Sequence, residues 1–349
     1  MHPELDLCYR LLPKVSRTFA LNIRILPRPL RPQVTVAYLL FRFADTIEDA
    51  PGLSLEERAD LFEAFLDRLD GTRQLSFPEG PFVRLMDVAS PAELELLEAG
   101  VRIFDVLESF PQDVQNIISA HVSETARGML KVIREKMRDG LLQIDSWQEL
   151  DEYCYYVAGT IGIMLTRLFA LHSKYIDPDT LKRLTTLGTS FGRGLQLTNM
   201  LKGIGTDRVE GRCYLPATAL AAHGVHPSWI LDPRFQTGVR TVVEEICARA
   251  VQDLEDALRY TILLPRREAR LRLFCLWPLF TAVRTLGLVA TGSGVPDPRA
   301  QLKISRAELY REMALSGLQV FSNGILRKRF ARFRRELFPA RVRHEVWAG

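Results

Sequence analysis

The sequence has 349 residues, of which 47% are hydrophobic and 25% are charged, and its formal net charge is +4. This length and apolar content allow one large domain or two ordinary ones. The mild basicity suits an anionic substrate or a membrane surface. No nucleic-acid-binding motif accompanies it, so no nucleic acid partner is expected.

The five cysteines are scattered, odd in number and without C-x-x-C spacing. This usage indicates neither a disulfide framework nor a zinc site, and it favours a reducing compartment. No basic segment followed by an apolar one opens the sequence, and no uninterrupted apolar run reaches the roughly 18 residues that a spanning helix needs. We therefore expect a cytoplasmic protein or one peripheral to a membrane. Separately, we expect a monomer or weak dimer.

Apolar residues recur with the helical period of 3.6 along most of the chain, and the alternation typical of strands is nearly absent. The pattern predicts an all-α fold organised as a single domain over residues 1–349. Residues 205–238 form the one long connection, and connections of that length are usually functional or mobile. The predicted helices are 4–24 with an interruption near Pro13, 31–49, 55–70, 91–109, 112–138, 147–171, 178–204, 236–263, 267–290 and 305–335.

Three carboxylates, Asp45, Glu48 and Asp49, crowd within about one turn at the end of an apolar helical segment. Like charges at this spacing repel, and Mg²⁺, which takes oxygen ligands from one or two carboxylates and from substrate phosphates, would compensate them. Tyr38 and Arg42 extend the same face at spacings of 4, 3 and 4, and we call Tyr38, Arg42, Asp45 and Asp49 the first stripe. Such a stripe suits a wet cavity, whereas the simpler interpretation is an acidic helix end that faces water.

Three further segments carry polar groups within a helical pattern or directly after it. In Y-V-A-G-T-I-G at 156–162, Tyr156 offers a phenolic donor, and the small residues permit either a close ligand or close helix packing. In L-T-N-M-L-K at 197–202 and G-R-C-Y-L-P at 211–216, amide and basic side chains follow an apolar helix. Each segment alone would fit an ordinary packed or solvated helix.

The C-terminal segment 326–338 is basic and amphipathic. Six basic residues fall between Arg327 and Arg335, and the apolar residues that share one helical stripe are Leu326, Phe330, Phe333 and Leu337. One interpretation is a helix that lies in a membrane interface. The other is a terminal helix whose apolar stripe docks onto the domain while its charges remain solvated.

Taken together, the motifs resemble the squalene and phytoene synthase family of head-to-head trans-prenyltransferases, and the squalene branch more closely. The resemblance covers most of the chain. Its motifs are S-R-T-F at 16–19, D-T-I-E-D at 45–49, Y-V-A-G-T-I-G at 156–162, L-T-N-M-L-K at 197–202, G-R-C-Y-L-P at 211–216, F-C-L-W-P at 274–278 and Lys303-Ile304.

The resemblance implies an all-helical terpene synthase fold around a central apolar cavity, with two acid-rich motifs that hold Mg²⁺ at its mouth. It implies the condensation of two farnesyl diphosphates to presqualene diphosphate and then reduction to squalene by NADPH, bound without a G-x-G-x-x-G unit. It also implies roles for individual residues. The diphosphate-binding candidates are Arg17, Tyr38, Arg42, Asn199, Lys202 and Arg212; the metal ligands are Asp45, Glu48, Asp49 and Asp207; the catalytic residues are Tyr156, Asp45, Asp49 and Phe274.

The sequence departs from the family at its second acid-rich motif. Where the family has D-x-x-E-D or D-x-x-x-D, this chain has G-I-G-T-D at 203–207, so only Asp207 remains. The helix is expected to end near residue 204, because Gly203 and Gly205 each cost about 1 kcal/mol relative to alanine. Three functions remain open: head-to-head condensation, a different prenyl transfer or cyclisation, and a non-catalytic prenyl-diphosphate-binding or assembly protein.

Overall fold

The structure is a computed structural model that describes residues 3–72, 82–138, 140–291, 302 and 304–337. These residues are almost entirely helical, which confirms the predicted all-α fold. The helices are α1 (Leu5–Val15), α2 (Arg17–Ile25), α3 (Leu30–Asp49), α4 (Leu55–Leu69), α5 (Phe82–Val88), α6 (Pro91–Glu98), α7 (Gly100–Glu108), α8 (Gln112–Lys136), α9 (Trp147–Cys154), α10 (Thr160–His172), α11 (Pro178–Val209), α12 (Ala217–Ala222), α13 (Gln236–Leu263), α14 (Ala269–Thr291), α15 (Arg306–Gln319) and α16 (Asn323–Leu337). A π-helical segment, Tyr155–Gly159, lies between α9 and α10.

The chain divides into two compact units. Unit 1 consists of Met1–Glu135 and Met164–Lys174, and unit 2 consists of Lys136–Ile163 and Tyr175–Gly349. The chain passes from one unit to the other near the end of α8, within α10 and between α10 and α11. The organisation of residues 1–349 as a single domain stays a prediction.

In unit 1, helix α3 packs against α1, α2, α4, α6 and α7. Its aromatic core is built on Phe43, whose ring stacks on Phe65 at 5.0 Å and meets Phe82 edge-on at 6.0 Å. Helix α3 ends at Asp49 because Ala50 precedes a proline and takes an extended conformation, with ψ of 119°. The aromatic core thereby fixes α3 and the direction in which its polar residues face.

In unit 2, α11 packs along α13 and α14, and the π-helical segment lies directly against it. A Cβ atom at Gly162 would lie 1.9 Å from the carbonyl oxygen of Gly188, and one at Gly192 would lie 2.1 Å from that of Ala158. Backbone therefore touches backbone, and larger residues would separate the helices. At these positions the small residues serve close helix packing, one of the two interpretations of the motif.

A small sheet in unit 2 contains β1 (Met137–Arg138), β2 (Leu141–Gln143) and β3 (Arg212–Cys213). Strand β2 pairs antiparallel with β1 and parallel with β3. The turn between α11 and β3 contains Gly211, whose φ of 79° is in the left-handed region that favours glycine. Strand β3 and helix α12, with the last turn of α11 and the first residues of α13, give structure to part of the long connection predicted over residues 205–238.

The prediction that the second-motif helix ends near residue 204 is wrong, because α11 continues through Gly203 and Gly205 to Val209. Ile204 and Gly205 are buried, so tertiary packing outweighs the helix propensity that the glycines lose. The first predicted helix is interrupted at Ser16 and not near Pro13. Ser16 is extended, and its hydroxyl caps α2 by accepting a hydrogen bond from the Phe19 N–H.

Residues 305–335 form two helices, α15 and α16, and α16 packs on α13 and α14. Leu326 and Phe330 are 0% and 4% exposed, and the Arg284 guanidinium lies 5.4 Å from the centre of the Phe333 ring. The described part of the apolar stripe thus docks onto unit 2, as the second interpretation predicts. Phe338 lies outside the described residues.

Two helical stretches, Trp147–His172 and Ala269–Thr291, are long and apolar enough to span a membrane, with mean hydropathies of 1.4 and 1.7. Neither stretch is an uninterrupted apolar run, since hydropathy averaged over a window tolerates polar residues. Core helices of soluble proteins meet the same criterion, and 56% of the window in Ala269–Thr291 is buried.

Candidate functional site

The first stripe is the accessible part of an otherwise buried helix. From Gln33 to Asp49, every residue of α3 is buried except Tyr38, Arg42, Asp45 and Asp49. The stripe therefore presents one phenol, one guanidinium and two carboxylates along a line, with buried residues on the rest of the helix. Such an arrangement is suited to binding a charged ligand and its counter-ion.

Arg42 is held between two carboxylates of unit 1. Its Nη1 lies 3.4 Å from Asp45 Oδ2, and its Nη2 donates to Glu93 Oε1 at 3.0 Å. Burial opposes the charge of Arg42, but Asp45 and Glu93 outweigh this effect and raise its pKa. Glu93 is not among the predicted site residues, because it lies 51 residues from Arg42 and its only signal in the sequence is that of a capping residue for Ser90.

Asp45 lies in an environment that disfavours its charge. Although 38% of its side chain is exposed, burial of the remainder raises the pKa of Asp45 to about 6, and Asp49 adds to this shift while Arg42 opposes it. A bound cation would favour the ionised form. The chemistry of the stripe therefore fits a hard divalent ion.

Of the three acidic ligands predicted at residues 45–49, Asp45 and Asp49 are accessible on the first stripe, whereas Glu48 is 7% exposed. Among the residues described by the structure, no three acidic, histidine or cysteine side chains gather closely enough to hold a metal ion. A cation on the first stripe would thus need further ligands from water or from a bound anion. Mg²⁺ usually binds in this way, through one or two carboxylates and substrate phosphates.

The S-R-T-F motif lies beside the first stripe. Ser16 shares a side-chain hydrogen bond with Tyr38, whose pKa burial raises. The rings of Phe19 and Tyr38 are 5.4 Å apart, and Arg17 is exposed as the first residue of α2. The motif and the Tyr38 end of the first stripe therefore form one surface of unit 1.

Tyr156 lies on the π-helical segment of unit 2 and is partly exposed. Its hydroxyl donates to Glu152 Oε1 at 3.3 Å. Single π-helical turns within α-helices are frequent at functional sites. Glu152 is not among the predicted site residues either, although its position four residues before Tyr156 places both on one helical face.

The second stripe is the accessible line on α11 from Leu197 to Asp207. Within this range only Asn199, Lys202, Gly203, Thr206 and Asp207 escape burial. The Lys202 ammonium donates to Asn199 Oδ1 at 3.0 Å. The second stripe thus combines one ammonium and one carboxylate with three uncharged residues.

Arg212 reaches Asp207 from strand β3. Its Nη2 lies 3.6 Å from Asp207 Oδ1 and also pairs with Glu210. Pairing of β3 with β2 fixes the strand, since the Leu142 N–H donates to the Gly211 carbonyl at 2.8 Å. The side chain of Arg212 is only 15% exposed and, with Asp207, contributes to the lining of a small cavity in unit 2.

The remaining predicted residues divide between buried and undescribed positions. Phe274 is 6% exposed within α14, and Lys303 lies outside the part of the chain that the structure describes. Within unit 1 the structure brings together the candidates of the first stripe and the S-R-T-F motif. Within unit 2 it joins Asn199 to Lys202 and Asp207 to Arg212.

Comparison with known proteins identifies the family. The family model for squalene/phytoene synthase matches residues 12–308. Squalene synthase of Schizosaccharomyces pombe is 27% identical over 300 residues, which are 86% of this chain and 63% of that protein. Squalene synthase of Cyberlindnera jadinii is 30% identical over 290 residues, or 82% of this chain and 62% of that protein. The chain thus spans somewhat less than two thirds of these relatives.

Solved structures show the same fold. A complex of TcSQS with the ligand BPH1237 superposes with a TM-score of 0.78 at 23% identity, covering 98% of each chain. A dehydrosqualene synthase in complex with a ligand gives a TM-score of 0.65 at 22% identity, covering 91% of this chain and 97% of that one. On the match of the family model across most of its length, the chain belongs to the squalene/phytoene synthase family.

Proposed function

We propose that this protein is a Mg²⁺-dependent prenyltransferase that condenses two farnesyl diphosphates head-to-head, through presqualene diphosphate, to squalene. The observation that carries the proposal is the first stripe, because between Gln33 and Asp49 helix α3 leaves only Tyr38, Arg42, Asp45 and Asp49 unburied. Membership in the family supports the reaction class. The stripe supplies the carboxylates and the guanidinium that binding of a metal diphosphate requires.

The first stripe would bind and orient the diphosphate. Asp45 and Asp49 would hold Mg²⁺, which when bound neutralises the charge that develops on the leaving diphosphate. Arg42 would donate to phosphate oxygens, and its pairing with Glu93 fixes the guanidinium before the substrate arrives. Arg17 and Tyr38 would supply further donors at the same surface of unit 1.

Tyr156 would transfer a proton in the condensation step. Its hydroxyl already donates to Glu152, so a proton accepted by the phenolic oxygen has a carboxylate as its next acceptor. The backbone contacts between this segment and α11 hold the ring in place. Phe274 would contribute an aromatic face to an apolar pocket for the reductive step with NADPH, since aromatic faces attract cations.

One observation favours a second candidate. The second stripe carries a single carboxylate, Asp207, and Arg212 is already paired with it. A reaction that ionises only one diphosphate, such as another prenyl transfer or a cyclisation, would need one metal-binding motif. A protein that binds prenyl diphosphate without turnover, in an assembly role, would also need no second metal-binding motif.

One incubation distinguishes these functions. The purified protein is given farnesyl diphosphate, Mg²⁺ and NADPH, and the products are extracted and identified. Squalene or presqualene diphosphate is the expected result. A different prenylated or cyclised product would favour the second function, and intact substrate would favour a binding or assembly role.

We further propose a cytoplasmic location with peripheral membrane contact through the exposed basic side of α16. Because Leu326 and Phe330 are buried, the contact would rely on charges such as Arg327 and Lys328. Each basic residue near an anionic surface contributes about 1 kcal/mol. Lys328→Gln should therefore weaken sedimentation with anionic vesicles about fivefold at low salt, whereas Lys182→Gln should not. Equal recovery of wild type in the supernatant with and without vesicles would contradict the contact.

A further inference from the structure

The carboxylate of Asp207 lies against its own helix. A Cβ atom at Gly203 would stand 2.9 Å from Asp207 Oδ2, so this oxygen occupies the space that a side chain at position 203 would need. On its other side, Asp207 Oδ1 faces the guanidinium of Arg212 at 3.6 Å. The absence of a side chain at Gly203 thus allows Asp207 to fold back.

The ion pair formed in this way is well enclosed. The side chains of Asp207 and Arg212 are 21% and 15% exposed, and Arg212 pairs with Glu210 as well. When one member of an enclosed pair is removed or diverted, the other is left with an uncompensated charge. A ligand that draws Asp207 away from Arg212 would therefore leave the Arg212 charge less compensated and would destabilise this part of unit 2.

A divalent cation on Asp207 would have to do this. It would find no second carboxylate at Gly203 or Thr206, and it would sit close to the positive guanidinium of Arg212. Like charges at such separations repel, most strongly where solvent is partly excluded. The donor set around Asp207 consequently does not fit Mg²⁺.

The same residues do fit an anion. Arg212 presents a planar guanidinium that can bind phosphate oxygens in a bidentate manner, and its low exposure strengthens such hydrogen bonds. Lys202 adds an ammonium on the second stripe, where Asn199 orients it at 3.0 Å. Both cations are placed by neighbouring side chains of unit 2.

We propose that this part of unit 2 binds the substrate diphosphate without a metal ion, through Arg212 and Lys202. Asp207 is then a positioning residue for Arg212 and not a metal ligand, which departs from the role that the family resemblance implies. The inference rests on the proposed function only in that the substrate is a prenyl diphosphate. It leaves metal binding to the first stripe.

The test uses inorganic pyrophosphate as the probe and calorimetry as the measurement. The affinity of each full-length variant is determined in EDTA and in Mg²⁺, and the ratio of the two values is the readout. We expect Arg212→Gln to weaken binding in EDTA at least tenfold. We expect Asp45→Asn to abolish the strengthening by Mg²⁺ and Asp207→Asn to retain it. A variant that only loosens the fold lowers both affinities and leaves their ratio unchanged.

A pair of glycine substitutions tests the folded-back carboxylate. Gly203→Ala should push Asp207 away from the helix and weaken pyrophosphate binding in EDTA several-fold, while the Mg²⁺-dependent binding at the first stripe is kept, so that the ratio of the Mg²⁺ affinity to the EDTA affinity rises. Gly317→Ala is the matched control, because this helical glycine has no atom within 4 Å of its would-be Cβ position. The control should bind as wild type does.

Three results would overturn the inference. Loss of the Mg²⁺ strengthening in Asp207→Asn would make Asp207 a metal ligand, and unchanged binding in EDTA by Arg212→Gln would move the diphosphate elsewhere. Equal affinities for Gly203→Ala and wild type in EDTA would remove the positioning role. In each of these cases the proposed function survives. Only a wild-type chain that binds no pyrophosphate in either buffer would contradict the proposed function too.

Discussion

The first stripe on α3 and the second stripe on α11 have the same construction and different charges. Each is a line of accessible residues on a helical segment whose other residues are buried, Gln33 to Asp49 on α3 and Leu197 to Asp207 on α11. The first carries two carboxylates, and its guanidinium belongs to the same helix. In the second, glycine and threonine leave one carboxylate, and the guanidinium comes from strand β3. The comparison shows that two helical segments can share one pattern of burial and still present different charges on their accessible side.

The change expected to separate the two stripes most is the loss of one carboxylate charge from each. Asp45→Asn should lower Mg²⁺-dependent turnover about 10³-fold, because a charge that stabilises the leaving diphosphate is lost while the amide keeps the shape. Asp207→Asn should lower it tenfold at most. Steady-state kinetics measures both effects, and circular dichroism checks that helix content is unchanged.

The exposed Asp60→Asn substitution on α4 serves as the control for this pair and should leave turnover unchanged. If Asp45→Asn keeps most of the Mg²⁺-dependent activity, the first stripe is not the metal site. Equal losses in the Asp45 and Asp207 variants would remove the distinction between the two stripes.

A second change tests whether unit 2, whose second stripe has a single carboxylate, contributes proton transfer through Tyr156. Tyr156→Phe removes only the hydroxyl that donates to Glu152 and should lower the rate of condensation about 10²-fold with substrate binding retained. Single-turnover kinetics and substrate titration measure the two quantities separately. Tyr155→Phe, on the same π-helical segment, is the matched control. An unchanged rate for Tyr156→Phe would make the residue a packing residue.

A third change converts the second stripe toward the first. Gly203→Asp with Thr206→Glu restores the family's acids and should raise Mg²⁺ affinity about tenfold, because two carboxylates join Asp207. The new side chain at position 203 meets the far end of the Asp207 side chain, which can rotate away. Calorimetry measures the affinity, and squalene-type activity should rise with it. A variant that gains neither would indicate that the second stripe has been rebuilt for another purpose.

The smallest change concerns what holds each guanidinium. Arg42 depends on Glu93 of α6, so Glu93→Gln should lower the free energy of unfolding by about 1 kcal/mol and turnover several-fold. Glu95→Gln on the same helix alters only an exposed pair with Lys14 and should have little effect on either quantity. Chemical denaturation and kinetics compare the two variants. Matching results from both would mean that Glu93 does not position Arg42.

The sequence by itself determined the all-α fold, because the 3.6-residue apolar period persists through nearly every helix that the structure describes. It also determined the first stripe, since spacings of 4, 3 and 4 must place Tyr38, Arg42, Asp45 and Asp49 on one line of any regular helix. The sequence also shows directly that the second motif retains only one carboxylate, Asp207. These features depend only on local geometry and residue chemistry.

Tertiary structure alone decided the partners and the interruptions. No local rule pairs Arg42 with Glu93, because only the packing of α6 beside α3 brings them together. Packing also explains why α11 continues through Gly203 and Gly205 to Val209. The π-helical segment that contains Tyr156 likewise depends on tertiary structure, because backbone contacts with α11 fix it. The amphipathic pattern of α16 was compatible with burial of its apolar side in a membrane or against the protein. In the structure this side packs against α13 and α14, and Leu326 and Phe330 are buried there.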